Sequence, residues 1–165
     1  MKIIQNNFPE FVGIEQIKAQ HTAQLKKFET WASMQEWKKF HIAHYDWWTF
    51  PCDRPSKYAY AYSVFAYEIN ILKKDTYFMS NYMRACELLL LSWGWDIHTA
   101  TMLKNRKPEQ TWQNWAIRLY KCALSLQQFG MDNYFQSVKQ YALFLLAEKQ
   151  NFNYYGEDLA QIFLE

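Results

Sequence analysis

The chain has 165 residues, half of them hydrophobic and 19% aromatic, with 8 Trp, 12 Tyr and 12 Phe against four Gly and four Pro. That length suits one domain able to bury roughly 70% of the surface its unfolded form exposes, with no metal or disulfide needed to hold it together. The net charge of +2 is spread evenly, which argues against a nucleic-acid binder, whose cations gather on one face or tail.

Three cysteines, Cys52, Cys86 and Cys122, stand far apart and form no CxxC pair, so zinc-knuckle and thioredoxin-like motifs are excluded. A reducing compartment is the simplest expectation. Residues Met1 to Gly13 lack the continuous apolar stretch of a signal peptide, and the longest apolar run, Leu88 to Leu91, falls far short of the ~20 residues that span a bilayer. The expected location is cytoplasmic, or nuclear in a eukaryote, without membrane insertion.

Along the chain, Ile14, Ile17, His21, Leu25, Phe28 and Trp31 recur at spacings of three and four, which predicts a helix over Ile14 to Trp37. Trp37, Phe40, His44 and Trp47 extend the pattern until Phe50-Pro51, where proline and the following Asp53-Arg54-Pro55-Ser56 cluster end it. A short helix is expected from Tyr58 to about Lys74. Asp75 then restarts the chain as an N-cap for Thr76 to Trp93, closed by Gly94 in the left-handed C′ position. Asp96 to Pro108 reads as a short helix or turn followed by a polar loop. Gln110 to Phe129 is the next helix, with Gly130 beyond it, and Asp132 caps another running to about Lys149. After a turn over Asn151 to Gly156, a last short helix is expected over Glu157 to Leu164. The predicted fold is all-α: a single-domain irregular helical bundle over residues 1–165, with Trp48, Phe50, Leu89, Trp93 and Leu126 in its core and no sheet beyond a minor hairpin.

Three stretches in this order resemble a known family. The first is Trp48-Thr49-Phe50-Pro51, preceded by His44 and Asp46. Arg84-Ala85-Cys86-Glu87-Leu88-Leu89-Leu90, running into Ser92-Trp93-Gly94, is the second. The third is Ser125-Leu126-Gln127-Gln128-Phe129-Gly130-Met131-Asp132-Asn133-Tyr134 with an apolar helix after it. Together, over about residues 37–147, they are similar to the conserved region of the opioid growth factor receptor family. The resemblance implies a helical domain and, from the animal members, binding of an enkephalin-type peptide. His44 sits one residue nearer Trp48 than in the family pattern, Cys86 replaces an aromatic, and Asp96 to Lys121 aligns poorly.

The site candidates follow from chemistry. Trp47, Trp48, Tyr58, Tyr60 and Tyr62 surround the Pro51 loop, and aromatic walls are shared by peptide, proline and base-stacking sites. Arg84 and Glu87, at i and i+3, can pair on one helical face, with Asp46 or Asp53 completing a network. Arg84 is expected to be mostly buried, holding the Trp48 to Pro51 loop through Glu87 or Asp46. The expected ligand-binding set is therefore His44, Asp46, Trp48, Arg54, Tyr58, Arg84 and Glu87. His41 and His44 lack companion ligands at metal-binding spacing, and no GxSxG, P-loop, GxGxxG or HExxH is present, so no metal, cofactor or catalytic residue is assigned. The reading is a module that binds a peptide or protein partner. The alternative is a small enzyme acting on a nucleotide or other anionic substrate, with His44 as acid, Arg84 as anion clamp and Glu87 as base; nucleic-acid binding comes third.

Overall fold

A computed structural model of the protein describes residues 2–165. Over that range the fold is predominantly helical, with seven helices and two two-stranded antiparallel sheets of two residues per strand. The helices are α1 (Ile14–Ser33), α2 (Lys38–Ile42), α3 (Ala66–Lys74), α4 (Thr76–Ser92), α5 (Ala116–Gln128), α6 (Asp132–Ala147) and α7 (Gln161–Leu164). Hairpin β1–β2 pairs Trp95–Asp96 with Thr101–Met102, and hairpin β3–β4 pairs Asn153–Tyr154 with Glu157–Asp158. Among the described residues no helix is long and apolar enough to cross a membrane.

Helix α4 is the axis of the fold. The Asp75 carboxylate accepts the Phe78 N–H at 3.0 Å and fixes its first turn, and Lys18 of α1 reaches the same carboxylate at 2.9 Å. From Ala85 to Leu90 every residue except Glu87 is buried, because α1, α2 and α3 pack against its successive faces. Gly94, at φ +82°, ends it. A Cβ there would stand 2.7 Å from Arg106 Cδ and 2.9 Å from the Gln110 carbonyl oxygen, so both the backbone conformation and the space require glycine. On the other side of the core, α5 packs on α6, and α7 covers both. Phe50, Leu89, Trp93 and Leu126 are buried as expected, but Trp48 is only half-buried, edge-on to Tyr62 at 5.5 Å.

Four sequence expectations need correction. Helix α1 stops at Ser33 instead of Trp37: Gln35 turns left-handed at φ +54°, Glu36 N–H bonds the Trp31 carbonyl and Gln35 N–H bonds that of Ala32, which is a Schellman closure. The Tyr58 to Phe65 segment is not helical. Asn6 Nδ2 takes the carbonyls of Tyr60 and Ser63, Val64 N–H turns to Cys52, and Glu68 caps α3 by accepting Phe65 N–H at 2.9 Å. Helix α5 begins at Ala116, six residues late, because the Gln110 side chain accepts Lys107 N–H and donates to the Leu91 carbonyl, and Asn114 is left-handed. Glu157 and Asp158 belong to a strand, so two hairpins stand where one at most was expected.

Candidate functional site

The site is built on a buried arginine. Arg118 falls on the inward stripe of α5 and is 1% exposed. Its guanidinium lies 4.3 Å from the Trp115 ring centre and 4.7 Å from that of Tyr45. It donates to the carbonyls of Phe40 at 2.8 Å, His41 at 3.4 Å and Ala43, and to the Tyr45 hydroxyl at 3.3 Å. Trp115 Nε1 adds a bond to the His41 carbonyl at 3.1 Å. A continuing helix needs these carbonyls for His44, Tyr45 and Trp47. Because α5 claims them, α2 ends at Ile42 and the chain from Ala43 to Trp48 becomes a wall. Burial pushes the Tyr45 phenol well above its ordinary range, partly offset by Arg118.

That wall faces a cleft of about 540 Å³. His44, Asp46 and Trp47 form one side, Arg54 to Lys57 another, Trp115 and Lys121 of α5 a third, and the β3–β4 hairpin closes it with Tyr154 and Tyr155. The His44 ring stacks on Trp47 with centres 5.9 Å apart and 8° between planes. Trp47 meets the edge of Tyr58 at 5.0 Å, and the Lys57 ammonium sits 5.0 Å above Trp47 and 5.1 Å above Tyr58. Arg54 grips Glu157 with two bonds, 2.7 and 3.2 Å, and its guanidinium lies over Tyr120 and Tyr154, tying the hairpin to the loop after Pro51. The Arg54 guanidinium holds the Glu157 carboxyl below the usual carboxylate range. Lys121 is 4% exposed. Burial pushes the neighbouring Cys52 thiol up, and the Lys121 ammonium opposes part of that rise.

Three of the residues expected from sequence, His44, Asp46 and Arg54, line this cleft, and Trp48 and Tyr58 pack against Trp47, tilted and edge-on respectively. Arg84 and Glu87 do not belong to it. Arg84 is exposed, its side chain 44% accessible, and bridges helices α1 and α4 through two 3.0 Å bonds to Glu29 and one to Glu87. The expectation that Arg84 is buried against the Trp48 to Pro51 loop is therefore wrong: on α4 it sits outside the inward stripe, and of the expected partners only Glu87 is kept. Glu87 also accepts the Tyr134 hydroxyl at 2.9 Å and meets His98 Nε2 at 3.1 Å. No described contact joins His44 to Arg84 or Glu87, so the acid, clamp and base of the enzyme reading are not assembled. His41 turns away from His44 toward the Glu109 carbonyl at 2.7 Å, and no cluster of three metal-ligating side chains occurs among the described residues.

Sequence reasoning missed Arg118, Lys121, Trp115 and the Tyr154 hairpin. For Arg118 a signal exists: it occupies the same stripe as Cys122, Ser125 and Leu126, and a cation on an apolar stripe must find partners inside. No protein-family model, curated protein or solved structure matches the chain, so the cleft is read from its own geometry.

Proposed function

We propose that this chain is an all-α peptide-binding module of the opioid growth factor receptor type, and that its ligand lies in the cleft between Trp47 and Trp115. The carrying observation is the composition of that cleft: the His44 ring stacked on Trp47, Tyr58 edge-on beside it and Lys57 over both Trp47 and Tyr58, in a cavity within the range that holds small ligands. Tyr and Trp walls supply wide contact at low entropic cost, which suits a short peptide side chain better than a reacting group. The sequence resemblance supports the same ligand class, since its three stretches meet in space: Ser125 of the third bonds Pro51 of the first and Tyr82, on the helix that carries the second.

The test is fluorescence anisotropy with a panel of labelled hexapeptides rich in aromatic and acidic residues. Binding is expected for a subset, and Trp47→Ala should weaken it at least tenfold while leaving the helical circular-dichroism signal unchanged. Equal binding by the folded Trp47→Ala variant, or none by any peptide, would refute the proposal.

A further inference from the structure

We infer that Lys121 forms an anion subsite in the floor of this cleft, accepting a single carboxylate of the ligand. A lysine is almost never fully buried unless paired, because removing an ammonium from water costs several kcal/mol that a partner must offset. Lys121 is 96% removed from solvent, lines the cleft, and takes part in none of the ion pairs among the described residues. Of the carboxylates at the cleft, Glu157 is held by Arg54 at 2.7 Å, and Asp46 stands 4.0 Å from Arg118 Nε and forms no ion pair with Lys121. Lys121 thus stands as a compact cation without a counter-charge among the described residues.

The ligand group is a carboxylate rather than a phosphate ester. Bidentate recognition of a phosphate ester takes a planar guanidinium fork, and the guanidinium lining the cleft, Arg54, is closed on both terminal nitrogens by Glu157, which leaves point-charge contact suited to a single carboxylate. One buried ammonium matches one monoanion, since the other lining ammonium, Lys57, is exposed and lies over the Trp47 and Tyr58 rings. With Trp47 and Trp115 among the cleft walls, the recognised unit is an aromatic ring and a carboxylate a few bonds apart, as in a peptide ending in an aromatic residue or carrying an acidic neighbour.

The subsite lies in the cleft assigned above, but small probes reach it without any peptide, so the two readings fail separately. The probes are N-acetyl-tryptophan, N-acetyl-tryptophanamide and the amidated dipeptide N-acetyl-Trp-Glu, followed by saturation-transfer and amide-shift NMR. Either carboxylate-bearing compound should bind at least tenfold more tightly than the neutral amide, and which one does so tells a terminal from a side-chain source. Lys121→Met, which keeps the stem and removes the charge, should erase that preference. Lys121→Gln provides a second test of the lost preference. No discrimination between acid and amide, or unchanged discrimination in either variant, would overturn the inference. Binding of these probes with no binding of any hexapeptide would leave the subsite standing and remove the peptide module.

Discussion

Ser125 Oγ donates to the Pro51 carbonyl at 2.6 Å and stands 2.8 Å from the Tyr82 hydroxyl, with all three groups buried. Since the serine proton is committed to Pro51, the tyrosine must be the donor to the serine, so the chain has one proton order only. Burial pushes the Tyr82 phenol well above its ordinary range, which keeps that proton in place at any ordinary pH. Ser125→Ala should leave the Pro51 carbonyl and the Tyr82 hydroxyl unsatisfied and cost about 2–4 kcal/mol in urea denaturation. Adding Tyr82→Phe to it should cost less than the two single changes together.

Arg118 and Arg84 carry the same charge and should behave in opposite ways. Arg118→Met strips partners from the carbonyls of Phe40 and Ala43 and is expected to cost about 3–5 kcal/mol. Arg84→Ala removes a solvent-screened pair and should cost about 0.5–1 kcal/mol, shrinking further in high salt. Chemical denaturation of both variants at low and high ionic strength checks the contrast.

His21 makes stability depend on acidity. It is buried against Phe78 and Tyr82, and burial lowers its pKa from 6.5 to about 4, with the Thr49 backbone offsetting only part of the shift. Between those values the unfolded chain binds the proton and the folded chain does not, so the histidine's contribution is complete above pH 6.5 and is lost as the pH falls toward 4. His41 is shifted down as well, chiefly by burial, and adds in the same direction. Unfolding free energies at pH 7 and pH 4.5 should differ by roughly 2–3 kcal/mol from His21, given about 1.4 kcal/mol per pKa unit. His21→Leu should flatten that part of the profile.

Gly94→Ala should be among the most damaging changes of one methyl group. The left-handed backbone costs a side chain about 1–2 kcal/mol before any contact is counted. The methyl then meets the Gln110 carbonyl oxygen, whose residue is held in place by its bond to Leu91. A loss above 2 kcal/mol in thermal or urea unfolding is expected, against a few tenths for Gly156→Asn, which meets nothing and keeps a residue tolerant of positive φ.

Local signals made some of this legible in the sequence. Asp75, the stripe from Phe78 to Leu90 and Gly94 define α4 almost to the residue, because cap, period and stop lie within one stretch. The chain from Trp37 to Phe50 misled because its apolar spacing continues past the point where its carbonyls are taken by Arg118, more than seventy residues away. The Tyr58 segment misled for the same reason, with Asn6 as the distant claimant. His44, Asp46 and Arg54 were recoverable as cleft residues because they flank the Pro51 loop. Lys121 was not: nothing local distinguishes a lysine that faces solvent from one that a hairpin near the C-terminus covers.

The collar of carbonyls around Arg118 also bears on how the chain acquires its shape during synthesis. Contacts that span 73 to 78 positions close large loops, and such closures are disfavoured until the later segment is in place. A nascent chain that has emerged as far as Trp48 has no means of holding its Ala43 to Trp48 wall, since the residue that organises it has not been made. The first third of the protein therefore waits on the ribosome for the last third, with Trp37, Phe40, Tyr45 and Phe50 uncovered in the meantime. Until Arg118 is in place, that apolar surface is open to the non-native contacts that trap folding chains.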